Sequence, residues 1–313
     1  MKHLSLCLFT VLLIAPPAFG QQDPLERPGK LYNQGDFDGA IRELDTILAK
    51  APTLSSALTL RGSAKKSKGD IEGALADFNR ALELNPKDVL AHYGRGATRF
   101  DKGDNDGAIA DFDAALAAQK NLYMVWQGRG QARRAKGDMA GAVDDFTRVI
   151  ELRPTFTEAY LNRGEALQQL GKLPEALADY SKAIELNPTI YVLYYNRAGL
   201  RATNKDLDGA IADYNKAIEL NPQDADCWLQ RAIVHHDKGN DAQAVSDYTK
   251  TIALNPQSAD AYAGRGIALL YLMKDAEAQQ DFDQCLKLNA GMKEALKQRI
   301  EYAKFKRAEK KKN

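Results

Sequence analysis

Apolar and small residues return at a fixed interval along most of this chain, and the interval predicts paired helices. Within each interval the apolar positions recur after three or four residues, which is the spacing of one face of an α-helix. A Gly-Asp pair such as Gly69-Asp70 divides the interval near its middle, where glycine ends one helix and aspartate begins the next. Proline closes the interval and recurs every 34 residues or a multiple of 34, at Pro52, Pro86, Pro154, Pro188, Pro222 and Pro256.

The proline series divides residues 21–292 into eight repeats, and their positions are counted from the first residue of each. The repeats are 21–54, 55–88, 89–122, 123–156, 157–190, 191–224, 225–258 and 259–292. Position 20 is alanine throughout: Ala40, Ala74, Ala108, Ala142, Ala176, Ala210, Ala244 and Ala278. Position 24 carries a ring in seven repeats: Phe78, Phe112, Phe146, Tyr180, Tyr214, Tyr248 and Phe282. Small residues let two helices approach closely, and the ring fills the gap between them.

These positions resemble the tetratricopeptide repeat family across residues 21–292. The resemblance implies an all-α fold, a right-handed α-solenoid of about eight 34-residue helix-turn-helix units. Residues 293–313 are expected to form a basic capping helix and tail, because Leu296, Ile300 and Ala303 share one helical face. The resemblance also implies that the first helices line a concave groove, which holds a segment of a partner protein.

Arginine at position 7 and an acid at position 23 occur in every repeat. The two positions face each other in an antiparallel hairpin that turns near positions 15 and 16. We therefore predict structural ion pairs, against the alternative of an arginine ladder for anionic ligands: Arg61–Asp77, Arg95–Asp111, Arg129–Asp145, Arg163–Asp179, Arg197–Asp213, Arg231–Asp247 and Arg265–Asp281. Arg299 follows the last repeat at the same spacing, so pairing with the acid of the preceding repeat stays open as a second arrangement.

The resemblance further implies which side chains face the groove, namely those at positions 2, 5, 6, 9 and 12. The partner-binding candidates are Tyr93, Phe100, Gln127, Gln131, Arg134, Asn162, Tyr195, Asn196, Leu229 and Ile233. Asn162 and Asn196 hold equivalent places, where an amide can pair with a partner's backbone. Chaperone-binding members of the family clamp a carboxylate with Lys, Arg and Asn side chains, and the neighbours of Asn162 do not supply that set.

Charge balance changes the expected partners. The chain carries 43 Lys and Arg against 42 Asp and Glu, so it lacks the basic excess that binds a nucleic-acid backbone. Residues 293–313 are strongly basic, and a basic ridge is expected at the ends of the first helices in repeats two to four: Lys65, Lys66, Lys68, Arg99, Lys102, Arg133, Arg134 and Lys136. The ridge and the tail suit an acidic partner, or they are solvated cations at helix C-termini.

The first twenty residues have the pattern of a signal peptide. A short basic start precedes an apolar run from Leu4 to Ala15, and small residues at Ala18 and Gly20 suit cleavage before Gln21. The alternative, a membrane anchor, needs a longer run than about twelve residues. We predict an exported bacterial-type protein, periplasmic or secreted, with no integral membrane segment in the mature chain.

No catalytic motif stands out from the repeat pattern. Gly94-Arg95-Gly96 imitates half of a dinucleotide fingerprint but lacks the third glycine and the preceding strand. We therefore expect no enzyme activity, no cofactor and no metal. The leading hypothesis is a protein-interaction scaffold or adaptor that binds a partner peptide in the groove. The alternative is an envelope-associated module that binds a polysaccharide or an acidic surface through Tyr93, Phe100 and Tyr195.

Overall fold

The computed structural model describes residues 23–310, and helices dominate that range. The predicted signal peptide and the last three residues of the tail lie outside the described residues. Within them no β-strand occurs, and no helix is long and apolar enough to cross a membrane. The α-helices are α1 Glu26–Asn33, α2 Phe37–Lys50, α3 Ser55–Ser67, α4 Ile71–Leu84, α5 Val89–Asp101, α6 Asn105–Ala118, α7 Tyr123–Ala135, α8 Met139–Leu152, α9 Thr157–Gln169, α10 Leu173–Leu186, α11 Tyr191–Thr203, α12 Leu207–Leu220, α13 Ala225–Asp237, α14 Asp241–Leu254, α15 Ala259–Tyr271, α16 Asp275–Leu288 and α17 Lys293–Lys310.

The chain divides into two compact units, Met1–Pro154 and Thr155–Asn313, called below the N-terminal and the C-terminal unit. In each unit a helix packs on the next one along the chain, so odd-numbered and even-numbered helices form successive hairpins. Each hairpin from α1–α2 to α15–α16 falls within one predicted repeat. The predicted all-α solenoid fold is confirmed.

The Gly-Asp turns between the two helices of a hairpin act as predicted. Gly69 ends the turn after α3 with φ at 86°, a left-handed conformation that glycine adopts without a steric penalty. Asp70 then caps α4, because its side chain accepts a hydrogen bond from the Gly73 N–H at 3.0 Å. Capping satisfies an N–H that has no partner inside the helix.

The position 24 ring lies between two first helices. Phe112 is fully buried, and a Cβ atom built on Gly96 would lie 3.0 Å from its Cε1 atom. A Cβ atom built on Gly128, in the first helix of the next repeat, would lie 2.8 Å from the ring Cζ atom. A larger side chain at Gly128 would press on the ring, and one at Gly96 would be in tight contact with it. The eight position 20 alanines are also fully buried.

The last helix, α17, covers the end of the C-terminal unit. Leu296 and Ala303 are buried in a core cluster with residues of α15 and α16. Arg307 donates a hydrogen bond to the Leu270 carbonyl oxygen at 3.1 Å and pairs with Asp275. A 3-10 turn, Ala290–Met292, precedes α17. The buried face of α17 is the one expected from the sequence.

Candidate functional site

The position 7 arginine contacts the position 23 aspartate of its own repeat. Arg61 donates from Nε to Asp77 Oδ2 at 2.8 Å and from Nη2 to Asp77 Oδ1 at 2.6 Å, and the aspartate is buried. The Nη2–Oδ1 distance is 2.6 or 2.7 Å in all seven pairs: Arg61–Asp77, Arg95–Asp111, Arg129–Asp145, Arg163–Asp179, Arg197–Asp213, Arg231–Asp247 and Arg265–Asp281. Two parallel hydrogen bonds make this a strong pair geometry.

Each unit also shows how these arginines join successive repeats. The remaining terminal nitrogen of the guanidinium, Nη1, donates to the preceding repeat. Arg61 Nη1 donates to Asp45 Oδ1 at 2.7 Å, and Arg231 Nη1 donates to Asn215 Oδ1 at 2.6 Å. Asp45 and Asn215 occupy position 25 of the preceding repeat. The sequence left open that each arginine pairs with the position 23 acid of the preceding repeat. The structure shows instead that the arginine contacts the position 25 side chain of that repeat. These guanidinium groups are occupied by structural contacts.

A second cation on the same aspartate was not foreseen. The basic residue at position 11 also reaches the position 23 carboxylate, as Arg99 does to Asp111 at 2.7 Å and Arg201 to Asp213 at 2.9 Å. Position 11 follows position 7 by one helical turn, so both side chains lie on one face of the first helix. That spacing is the sequence signal that could have revealed the contact.

The predicted basic ridge is paired with acids. Lys66 Nζ lies 2.8 Å from Asp101 Oδ2, and Lys102 Nζ lies 2.6 Å from Glu72 Oε1. Lys68 pairs with Asp38, and Lys136 pairs with Asp106. The other paired ridge residues are Lys65, Arg99 and Arg133, which contact position 23 aspartates. These seven cations are therefore neutralised within the chain, which weakens the case for an acidic partner at the ridge.

The predicted groove residues differ in how much surface they offer. Ile233 is 37% exposed, whereas Gln127 and Asn162 are only 9% and 8% exposed. This corrects the outward placement expected of the last two side chains. Neither polar atom of the Gln127 amide has a hydrogen-bond partner among the described residues. The other candidates are partly buried: Tyr93, Phe100, Gln131, Arg134, Tyr195, Asn196 and Leu229.

In the N-terminal unit the two aromatic candidates lie on α5, whereas the candidates on α7 are polar. Tyr93, Phe100 and Met124 all pack on the core cluster that contains Phe112. The centroids of the Tyr93 and Phe112 rings lie 6.0 Å apart. Aromatic side chains that are partly exposed and held on rigid helices can anchor a partner at low entropic cost.

In the C-terminal unit the candidates on α11 and α13 combine aromatic, amide and aliphatic groups. The centroids of the Tyr195 and Tyr214 rings lie 5.8 Å apart in an edge-to-face arrangement. Asn196 donates from Nδ2 to Glu165 Oε1 at 3.5 Å, so its amide already contacts a carboxylate. Ile233 adds the exposed aliphatic surface noted above.

Nucleophilic and metal-binding groups do not assemble in the part of the chain that the structure describes. Cys227 and Cys285 are buried free thiols, and burial raises the pKa of Cys227 to about 12. A thiol with so high a pKa is a poor nucleophile. Among the described residues no group of three or more His, Cys, Asp or Glu side chains is arranged to hold a metal ion.

His235 stands at position 11 of repeat seven and makes that repeat sensitive to pH. Its Nε2 atom lies 4.0 Å from Asp247 Oδ2, and its Nδ1 atom has no partner among the described residues. Burial lowers the pKa of His235, opposed by Asp247 and assisted by Arg231 and Lys238. The folded state therefore favours neutral histidine, and its stability falls as the pH drops below the ordinary histidine pKa.

We expect His235→Arg to stabilise the protein more at pH 5 than at pH 8. Arginine at position 11 pairs with the aspartate in repeats three, four and six, and it does not titrate in this range. The measurement is the free energy of unfolding of both proteins at the two pH values. An equal gain at pH 5 and pH 8 would contradict the assignment.

Family models match four stretches of the chain. The model described as tetratricopeptide repeat matches residues 157–190, and the model described as TPR repeat matches residues 62–103, 130–171 and 200–239. The four stretches lie inside the predicted solenoid of residues 21–292. No curated protein matches the chain in sequence.

Several solved structures are similar to this chain. MamA is 26% identical over 53% of this chain and 96% of its own, with a TM-score of 0.51. YrrB, described as a TPR protein with an unusual peptide-binding site, is 22% identical over 59% of this chain and 95% of its own, with a TM-score of 0.53. The C-terminal part of a TPR repeat-containing protein from Cytophaga hutchinsonii is 20% identical over 77% and 98%, with a TM-score of 0.63. The last two likenesses show the fold alone.

Proposed function

Because the chain belongs to the tetratricopeptide repeat family, we propose that it is a non-enzymatic scaffold or adaptor that binds segments of a partner protein. The observation that carries the proposal is that each unit has aromatic or aliphatic side chains at least partly exposed on its odd-numbered helices, Tyr93 and Phe100 in the N-terminal unit and Tyr195 and Ile233 in the C-terminal unit. The position 7 arginines and position 23 aspartates of the same repeats are engaged in ion pairs. The described residues thus offer a contact surface.

The solved structure of YrrB supports the class of ligand. It is described as having a peptide-binding site, and it shares the fold of this chain. A peptide can take up many modest contacts along stacked helices, with a few aromatic anchors supplying most of the affinity. The proposal includes export to the periplasm or beyond, which rests on the sequence of residues 1–20 alone.

Photocrosslinking tests the proposed surface. We expect a photoreactive amino acid at Tyr93 or Ile233 to crosslink to polypeptides from a bacterial envelope extract. The same group at Arg80 or Ala253, which are exposed on the even-numbered helices α4 and α14, serves as the matched control. Mass spectrometry identifies the crosslinked species. Equal crosslinking from all four positions, or crosslinks to glycan only, would contradict the proposal.

A further inference from the structure

The groove positions of repeat eight are covered, unlike those of the repeat before it. Positions 5, 9 and 12 there are Ala263, Ile267 and Leu270, called below the α15 groove face, and all three are buried. Position 9 gives a direct comparison, because it is isoleucine in both repeats. Ile233 of repeat seven is 37% exposed, whereas Ile267 of repeat eight is 4% exposed. Another part of the chain therefore lies on the α15 groove face.

The covering element is α17, the last helix of the C-terminal unit. Its buried Leu296 and Ala303 belong to the core cluster that contains the three residues of the α15 groove face, and Ile300 packs partly buried against that cluster. Near the end of α17, Arg307 donates from Nη1 to the Leu270 carbonyl oxygen at 3.1 Å. Helix α17 thus occupies the groove of repeat eight in the manner of a ligand helix laid into an apolar groove.

The contacting side chains of α17 define what the α15 groove face accepts. Leu296, Ile300, Ala303 and Arg307 follow one another after four, three and four residues, which places them on one stripe of the helix. The first three are apolar and pack on α15. Arg307 reaches the start of α16, where its Nη2 atom lies 3.1 Å from Asp275 Oδ2. The face therefore fits an amphipathic helix whose apolar stripe ends in a cation.

Helix α17 is attached over a small area. Each helix from α10 to α15 packs on the helix before it and on the helix after it, whereas α17 packs mainly on α15. Among the described residues of α17 only Leu296 and Ala303 are buried. Tyr302 and Phe305 are 60% and 58% exposed. Asp275 is exposed too, so its pair with Arg307 adds little. Elements with few buried contacts open at low free-energy cost.

We propose that the α15 groove face is a binding site for an amphipathic helix of a partner protein, and that α17 occupies this site in cis. The partner helix carries aliphatic residues in place of Leu296 and Ile300, a small residue in place of Ala303, and lysine or arginine opposite Asp275. It displaces α17 when it binds. The inference rests on the proposed function and names the chemistry of the partner at one end of the C-terminal unit.

A partner protein suits this site better than a second copy of the chain. The α17 helix of a second copy offers the same contacts as the resident helix, without the short 3-10 turn Ala290–Met292 that ties the resident helix to α16. A tethered ligand has the higher effective concentration, so the resident helix wins that competition. A partner helix can add contacts that α17 does not make, for example with the exposed Ile233 on α13.

The binding test uses the full chain and a fluorescent peptide of residues 290–309 with blocked ends. Ala303→Glu in the chain puts a charge into the apolar contact and releases α17, while the α15 groove face stays unchanged. Ala308→Glu makes the same change at an exposed place on the same helix and is the matched control. Fluorescence anisotropy measures the Kd. We expect Ala303→Glu to bind the peptide more than about 10-fold more tightly than the natural chain, because the site is no longer occupied in cis. Ala308→Glu should stay within about 2-fold of the natural chain.

A double-mutant cycle tests the position of the cation. In the Ala303→Glu chain we expect Asp275→Asn to weaken peptide binding about 3-fold, and Arg307→Gln in the peptide to do the same. Both changes together should weaken binding no more than either alone, because they remove one ion pair. Additive losses would show that the peptide lies in another register, which would overturn the assigned partner chemistry.

Hydrogen exchange of the natural chain gives a test that needs no variant. The chain is isotope-labelled, so that mass spectrometry distinguishes its α17 from the added peptide. We expect excess peptide to speed exchange of the α17 amides and to leave α13 unchanged or slower. Unchanged exchange in α17, or equal peptide affinity of the natural and Ala303→Glu chains, would overturn the site.

Selection from a phage library of helical peptides tests the chemistry of the partner. On the Ala303→Glu chain we expect sequences with two aliphatic residues one turn apart, a small residue and a following lysine or arginine. Acidic sequences, or dimers of the natural chain that exchange α17, would overturn the partner assignment. None of these results decides the scaffold proposal, because crosslinking from Tyr93 and Ile233 tests that separately.

Discussion

An Asp111→Ala variant is expected to lose about 3–5 kcal/mol of unfolding free energy, because it leaves two partly buried cations without their buried carboxylate partner. Asp111 is buried and accepts hydrogen bonds from Arg95 Nη2 at 2.6 Å and Arg99 Nη1 at 2.7 Å. His92 Nδ1 lies 3.2 Å from the same carboxylate. Alanine would leave the two guanidinium groups without their anion and too enclosed to regain full hydration. The measurement is urea unfolding followed by circular dichroism.

Asp113→Ala is the control for this loss. Asp113 lies on the same helix, two residues further on, and pairs with Arg129 from an exposed position. A surface pair contributes at most about 1 kcal/mol. Because repeat arrays can unfold in parts, both curves are to be fitted with a nearest-neighbour model. Equal losses in the two variants would show that the buried network does not stabilise the fold as argued.

A Phe112→Ala variant is also expected to lose about 3–5 kcal/mol. The ring is the contact through which α5 and α7 meet, since Gly96 and Gly128 both face it. Removing it leaves a cavity between two rigid helices, which can collapse only in part. Urea unfolding again measures the loss. A cost below about 1 kcal/mol would mean that the helices close the gap without the ring.

Gly128→Leu tests the same contact in the opposite sense. In the natural protein the added side chain would collide with Phe112, because its Cβ atom alone would lie 2.8 Å from the ring. In the Phe112→Ala background the same side chain enters the vacated space. We therefore expect Gly128→Leu to destabilise the natural protein and to stabilise the Phe112→Ala variant. An effect of equal sign in both backgrounds would contradict the predicted geometry.

Much of the fold could be read from the sequence because its determinants are local and repeated. The 34-residue proline interval, the Gly-Asp turn and the invariant position 20 alanine each fix one feature of a hairpin. Each repeat alone carries only a few characteristic residues, but their recurrence in eight repeats cannot be explained by chance. The facing of Arg61 and Asp77 follows from the same hairpin geometry, since positions 7 and 23 lie equally far from the turn.

The exposure of the groove side chains could not be predicted from the sequence, because it depends on how neighbouring repeats pack against each other. Gln127 and Asn162 stand at positions expected to face outward, yet both are buried. The groove positions were carried over from family resemblance, and burial at each depends on the size of the side chains around it.

The position 7 arginine binds both the aspartate of its own repeat and the position 25 side chain of the preceding repeat, and this has a consequence for how such genes change length. Position 25 of the preceding repeat offers an oxygen acceptor at each observed contact, whether it is Asp45, Asn79, Asp113, Ser181, Asn215 or Thr249. In the C-terminal unit, loss of residues 225–258 would bring Arg265 opposite Asn215, an acceptor already used by Arg231. Unequal recombination in whole multiples of 34 codons therefore restores an equivalent arginine–acceptor contact between the repeats that become neighbours. The number of hairpins can change by selection without a new type of contact between repeats.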